Sequence, residues 1–172
     1  MRVIDEKVGK NLSKYIFQCL IATIILLIAL LFLDVITETA IIASLGATSF
    51  IIFTMPKSYS SSPKRLIGGY TIGISMGIIC NYFGSIIYTN NSIFSLIKTN
   101  EVSIFFAAIA VGLSIFLMTI TNTEHAPAAG IALGLVINQW NSSSVLFIII
   151  VMLSMAATQH ILKSYLINLT SP

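Results

Sequence analysis

Charged side chains are scarce in this sequence. They make up 9% of its 172 residues, while 56% are hydrophobic; an ordinary soluble domain carries about 25% charge. That shortage excludes a soluble globular domain and places the chain in a bilayer. Cysteine is nearly missing too. Cys19 and Cys80 both fall in apolar runs without metal-ligand spacing, so they read as packing residues rather than a disulfide or a metal site. No nucleophile stands beside a base in a pattern that would argue for a hydrolase. No enzyme activity, cofactor or metal is therefore expected. The net charge of +3 is too small to suggest nucleic acid as a partner.

What is present is apolar sequence in six runs: residues 15–33, 37–55, 66–88, 102–120, 126–139 and 145–162. A membrane-spanning helix needs about 20 apolar residues. The chain thus predicts an all-α, polytopic membrane bundle forming one domain over residues 1–172, with residues 1–14 as a cytoplasmic tail. The first run lacks a small-residue cleavage site and reads as a retained span. The second is polar for a span, carrying Glu38, Thr39, Ser44, Gly46, Thr48 and Ser49. The fifth is short: fourteen residues make about 21 Å of helix, against a hydrocarbon core of about 30 Å. It either crosses tilted or broken, or it re-enters.

Basic residues set the expected orientation. Arg2, Lys7, Lys10, Lys14, Lys57, Lys64, Arg65 and Lys163 fall on one side if all six runs cross, leaving Lys98 on the other. The positive-inside rule then puts both termini in the cytoplasm, with Asn91 and Ser143 outside, in a cell or inner membrane. Tyr15, Tyr88, Trp140 and Tyr165 stand near run ends, where amphipathic rings favour the interface.

The two halves look alike. TETAIIASLGA (residues 37–47) and TEHAPAAGIALG (residues 123–134) each open the middle run of a three-run half. Either the match is chance, or the chain is a 3+3 inverted repeat of the kind that places a transport site at the repeat interface. Gly69, Gly73 and Gly77 recur every four residues, with Asn81 one turn on; Ala126, Gly130, Gly134 and Asn138 do the same. Such stripes let backbones approach closely in lipid. They either pack helices or flank a narrow path, with Asn81 and Asn138 offering amides.

Asp5, Glu6 and Glu101 read as solvated tail or loop residues, and Asp34 as a span-end residue. Glu38 and Glu124 each stand near the start of a small-residue run. They either cap those helices, where the dipole favours negative charge, or face inward and bind protons. His125 follows Glu124 and precedes Pro127, which suits the first turn of a helix. His125 either ties this turn to a neighbouring loop or donates to a ligand at the helix N-terminus, with Glu124 holding the turn or favouring its cationic form. His160, near the end of the last run, reads as interfacial.

HAPAAG (residues 125–130), ASLGATSFIIF (residues 43–53) and SPKRLIGGY (residues 62–70) together resemble the HPP family of small integral membrane proteins. HAPAAG is similar to its His-Pro-Pro-Ala-Gly signature, with Pro127 retained. Pro63, Gly68 and Gly69 match its Pro-Arg-x-x-x-Gly-Gly-His stretch, with Lys64 at the arginine position and Tyr70 where a histidine is usual. The resemblance runs from Ala43 to the end of the chain. It implies a compact, transporter-like protein; plant plastid and cyanobacterial relatives are associated with nitrite transport.

The expected function is therefore a transporter or channel for a small inorganic anion, nitrite foremost, with proton coupling compatible. His125, Asn81, Asn138 and Thr48 are the expected substrate donors, with N–H groups from the starts of the second and fifth runs. Glu38 and Glu124 serve proton coupling or turn stabilisation, and Lys64 and Arg65 form a basic mouth. Pro127, Gly130, Gly134, Gly69, Gly73, Gly77 and Pro63 are structural. The partners are lipid and a small anion; a homo-oligomer is left open. The alternative is a membrane scaffold or sensor that moves nothing.

Overall fold

The computed structural model describes residues 6–32, 38–90, 99–138 and 140–169. Six α-helices occur there: α1 (Glu6–Phe32), α2 (Thr39–Thr54), α3 (Pro63–Asn90), α4 (Thr99–Ile120), α5 (Ala126–Ile137) and α6 (Ser142–Leu162), with a single 3-10 turn at Tyr59–Ser61. No strand occurs among the described residues. All six expected runs are helical. Two boundaries differ from expectation. Helix α1 begins at Glu6, with non-helical backbone at Asn11, so much of the expected tail is helix. Glu101 lies in α4 rather than in a loop. Arg2, Asp5, Asp34, Asn91 and Lys98 lie outside the described residues.

Local sequence explains the element ends. Pro63 starts α3 and Pro127 lies in the first turn of α5, where a missing N–H costs nothing. Asn141 caps α6, its side chain accepting the Ser144 N–H, as asparagine does at helix starts. Asn122 takes up positive φ between α4 and α5, a conformation asparagine tolerates better than most residues.

Four helices, α1, α3, α4 and α6, contain stretches long and apolar enough to cross a membrane. Helix α5 has only 12 residues, about 18 Å, yet it does not turn back within the bundle. Its start packs beside Gly69 near the beginning of α3, and its end reaches Asn81. It therefore runs with α3 from the end of the bundle that holds Arg65 to the end that holds Glu38. The six helices alternate in direction, and Tyr15 bonds the Leu169 carbonyl at 2.7 Å, which joins the two ends of the chain at the Arg65 end.

Helices α2 and α5 cross antiparallel at the centre, with Ile41 against Gly134, Ser44 against Gly130 and Thr48 against His125. Helix α1 packs on α2 as α4 packs on α5; α6 packs on α2 as α3 packs on α5; and α1 meets α6 as α4 meets α3. Exchanging the halves thus leaves the pattern of neighbours unchanged, as an inverted repeat requires. The outward faces are apolar: Leu12, Ile16, Leu20, Ile24 and Leu27 on α1, and Ile104, Phe105, Phe116 and Ile120 on α4, are exposed. In lipid that exposure carries no hydrophobic penalty. Cohesion falls instead to close packing and buried hydrogen bonds.

Candidate functional site

Three elements converge where the two halves cross. Thr48 comes from the middle of α2, Tyr70 from the second turn of α3, and His125 from the residue that precedes α5. All three are fully buried. Thr48 Oγ1 lies 2.7 Å from the Tyr70 hydroxyl and 3.0 Å from His125 Nε2, while His125 Nδ1 lies 3.0 Å from the Ser60 carbonyl. A carbonyl only accepts, so Nδ1 carries hydrogen. In a neutral ring Nε2 then accepts from Thr48, whose oxygen accepts from Tyr70. The result is a one-way chain from Tyr70 through Thr48 and His125 to Ser60, complete with a neutral imidazole. Burial pushes His125 below the ordinary histidine pKa, against the upward pull of the Ser60 hydrogen bond.

This overturns one expectation. Glu124 does not act on the imidazole to favour a cation. Its carboxylate turns outward to Arg65 Nε at 3.6 Å and the Tyr59 hydroxyl at 3.4 Å. Nor is Arg65 a free cation at a mouth. It lies over the Tyr59 ring, 3.0 Å from the centroid, and donates to Asn122 Oδ1 at 2.8 Å. The Tyr59 hydroxyl also donates to Asn122. These four side chains tie the α2–α3 loop to the α4–α5 turn, directly over His125. Lys64 beside them is exposed.

Beyond His125 the glycine stripe of α3 closes on α5. A Cβ on Gly69 would stand 2.8 Å from His125 Cβ, one on Gly73 would strike the Ala128 carbonyl, and one on Gly77 would stand 2.8 Å from Leu135 Cβ. The second stripe does not face the first. Gly130 and Gly134 press on Ser44 and Ile41 of α2, and Ala126 is exposed. The two stripes therefore flank no common path; they seal α5 against two different neighbours.

Asn81 and Asn138 were expected beside His125. They lie at the far end of the seam: Asn81 is eleven residues along α3 from Tyr70, about 16 Å. A cavity of about 140 Å³ opens there, lined by Asn81, Ser85, Ser103, Phe106 and Val136. It adjoins a wider cleft that adds Asn138 and Trp140. Asn81 Nδ2 makes only a long contact, 3.4 Å, to the Val136 carbonyl. Asn138 Nδ2 is buried without a partner, and an unpaired buried donor is costly.

The starts of α2 and α5 are at opposite ends, since the two helices are antiparallel, so their N–H groups do not converge on one ligand. Glu38, at the start of α2, is buried. It is the N-cap residue of α2 without a side-chain capping bond to it; its side-chain partner is Ser144, in the first turn of α6.

Several structural polar residues had no signal in sequence. Gln18 donates to the carbonyls of Phe53 at 2.5 Å and Ile167 at 3.0 Å, and Gln159 donates to Pro56 at 3.1 Å. These amides lie singly in apolar runs. Ser60 acts through its carbonyl, which any residue would supply. Tyr70 did carry a signal, standing directly after the Gly68–Gly69 pair that brings the chain against the α4–α5 turn.

The family model for the HPP transmembrane region matches residues 7–171. The chain belongs to the HPP transmembrane family. As an HPP protein it shares 36% identity over 93 residues with a transmembrane protein of Dictyostelium discoideum, a match that takes in 54% of this chain and 28% of that relative. No solved structure matches the chain. The chain is a multi-pass membrane protein, and its variant signature, His125–Ala126–Pro127, supplies both the imidazole of the buried chain and the first turn of α5.

Proposed function

We propose that this HPP protein carries a small inorganic anion across the bilayer, nitrite being the first substrate to test, with proton movement as the driving force. The reading rests foremost on one observation: an unpaired amide donor, Asn138 Nδ2, stands beside a cleft shared with Asn81, Ser103 and Trp140. Hydrogen-bond donors without fixed charge suit a weakly basic anion that must both enter and leave. The cleft ends on the α3–α5 seam, and the seam leads to His125. In this conformation the seam is shut by Gly73 and Gly77, and the Arg65 end is tied by Tyr59, Asn122 and Glu124. Passage requires α5 to part from α3 while the α4–α5 turn is released. The protein is read as a transporter of a cell membrane with both termini cytoplasmic, not as an enzyme.

A scaffold or sensor role is the second reading. It is favoured by the completeness of the His125 hydrogen bonds and by glycines that are all in contact along the seam. Uptake of nitrite, nitrate and formate by purified protein in liposomes, with and without a pH gradient, separates the two. Saturable nitrite flux, lowered by Asn138→Ala, supports transport. Absence of flux for all three anions supports the scaffold.

A further inference from the structure

We infer that Ser114 of α4 contacts the anion midway along its route, and that this route follows the junction of α3, α4 and α5. Helix α4 packs on both α3 and α5, so its inward face lies over their seam. That face carries Ser103, Ala107, Ala110, Ser114 and Met118, spaced three or four residues apart as one side of a helix requires. Neighbours place it from end to end. Ser103 lines the cavity that holds Asn81 and Val136. Ala107 and Ala110 pack with Cys80 of α3 and with Ala132 and Val136 of α5. Met118 Sδ lies 3.3 Å from where a Cβ on Gly69 would stand, and His125 Cβ lies 2.8 Å from the same point. The face therefore leads from the amide cleft to His125. Ser114 stands on it between Ala110 and Met118, eleven residues from Ser103, or about 16 Å along the helix.

Ser114 is fully buried, and its hydroxyl has no hydrogen-bond partner. A helical serine has an acceptor at hand in the carbonyl four residues back. Thr119 on the same helix uses it, bonding Ile115 at 2.8 Å, and Ser75 on α3 bonds Thr71 at 2.7 Å. Ser114 makes no such bond. An unpaired buried hydroxyl weakens a fold, whereas alanine in its place would extend the Ala107–Ala110 packing and favour helix. Stability therefore does not account for this serine. A passing ligand does. The hydroxyl offers a donor and an acceptor without fixed charge, which lets an anion both bind and leave. A second buried unpaired donor, Asn138 Nδ2, stands beside the cleft where the route begins. Between the two lie the short side chains of Ala107, Ala110, Ala132 and Cys80. No charged residue follows Arg65 on α3 or Glu101 on α4, and α5 has none. An anion on this route meets hydrogen-bond donors alone, and Ser114 supplies the one between the cleft and His125. That role rests on the transport reading above.

The test uses full-length protein in liposomes, with nitrite as the probe. Ser114→Ala should keep or raise the melting temperature, because it removes an unpaired group. It should raise the nitrite concentration for half-maximal flux about tenfold, the loss of one hydrogen bond to a charged ligand. A serine that only packs would do the reverse, lowering the melting temperature and leaving flux unchanged, and that result overturns the proposal. So does an unchanged nitrite dependence at any melting temperature. A second measurement uses Ser114→Cys, close to serine in size, with Cys19→Ala and Cys80→Ala. A small anionic methanethiosulfonate should label it, and nitrite should slow the labelling. Ile115→Cys, on the outward face, should show no effect of nitrite. If the wild type carries nitrite, failure of Ser114→Cys to react, or a rate that nitrite leaves unchanged, overturns the Ser114 assignment and leaves the transport reading standing. If the wild type moves no anion, labelling slowed by nitrite keeps Ser114 as an anion contact and overturns transport alone, and labelling indifferent to nitrite overturns both.

Discussion

Thr48 and His125 stand 3.0 Å apart across the crossing of α2 and α5, the point where the two halves of the chain meet. Thr48 donates there and accepts from Tyr70 on its other side. Removing its hydroxyl orphans two buried groups at once, His125 Nε2 and the Tyr70 hydroxyl. Thr48→Val should therefore destabilise by about 1–3 kcal/mol, the cost of leaving buried polar groups unpaired. Tyr70→Phe removes only one donor and leaves the Thr48–His125 bond, so it should cost about 0.5–1.5 kcal/mol. Thermal unfolding of both variants in detergent gives the order. Equal losses would mean that Thr48 does not bridge the two rings.

Gly73 and Gly112 make a matched pair of tests. A methyl at Gly73 would strike the backbone carbonyl of Ala128, and backbone cannot swing aside. Gly73→Ala should cost about 1–3 kcal/mol, as overpacking does. Nothing lies within 4 Å of the Cβ position at Gly112. Gly112→Ala should be neutral or stabilising by up to about 1 kcal/mol, since alanine favours helix. A harmless Gly73→Ala would show that the α3–α5 seam is looser than the packing here.

The helices were legible in the sequence because apolar length is what a bilayer selects. The TETA/TEHA echo correctly marked the middle helices of the two halves. The site was legible by residue and not by grouping. His125 and Thr48 do meet, and they meet because α2 and α5 are antiparallel. The same register carries Asn138 to the other end, which a list of polar residues cannot show. Glu124 misled because adjacency in sequence to His125 suggests contact. The backbone is extended at His125, and neighbouring side chains on extended backbone point apart.

Acid should weaken the fold through His125. Its pKa is lowered by burial from the ordinary 6.5. Below about that pH the unfolded chain binds a proton that the folded chain resists, so stability is lost as pH falls from 6.5 towards the lowered value and regained as pH rises. His125→Asn removes this titration while other groups continue to titrate. Melting temperature at pH 8 and pH 5 should thus fall further for the wild type than for His125→Asn. A larger fall in the variant would contradict a neutral imidazole in the folded state.

Sidedness follows from alternating helices. Ser61 is buried and holds the Pro56 carbonyl, so it is a poor reporter; Lys57 is exposed in the same loop and Ser143 is exposed before the body of α6. Lys57→Cys and Ser143→Cys, in a background without Cys19 and Cys80, should react with an impermeant maleimide from opposite sides of the membrane. Reaction of both from one side would make α5 a re-entrant helix after all.

Lys64 and Arg65, neighbours in sequence, should behave differently. Lys64 is exposed at the Arg65 end and can act on a passing anion only through its field, which salt screens over about 8–10 Å. Lys64→Gln should therefore lower nitrite flux at low ionic strength, with the deficit vanishing in high salt and the melting temperature unchanged. Arg65 is engaged with Tyr59, Asn122 and Glu124. Its stacking on Tyr59 alone is worth about 0.5–1 kcal/mol at a partly exposed site. Arg65→Gln should lower the melting temperature whatever the salt, because it unties the loop over His125 and the π contact is little screened. Loss of that tie should also speed the reaction of a maleimide with a cysteine placed by Ser60→Cys, a half-buried position whose backbone carbonyl holds the imidazole in the wild type. If Arg65→Gln instead shows the salt-dependent flux deficit and no loss of stability, Arg65 acts as a mouth cation and the tie across the two loops is incidental.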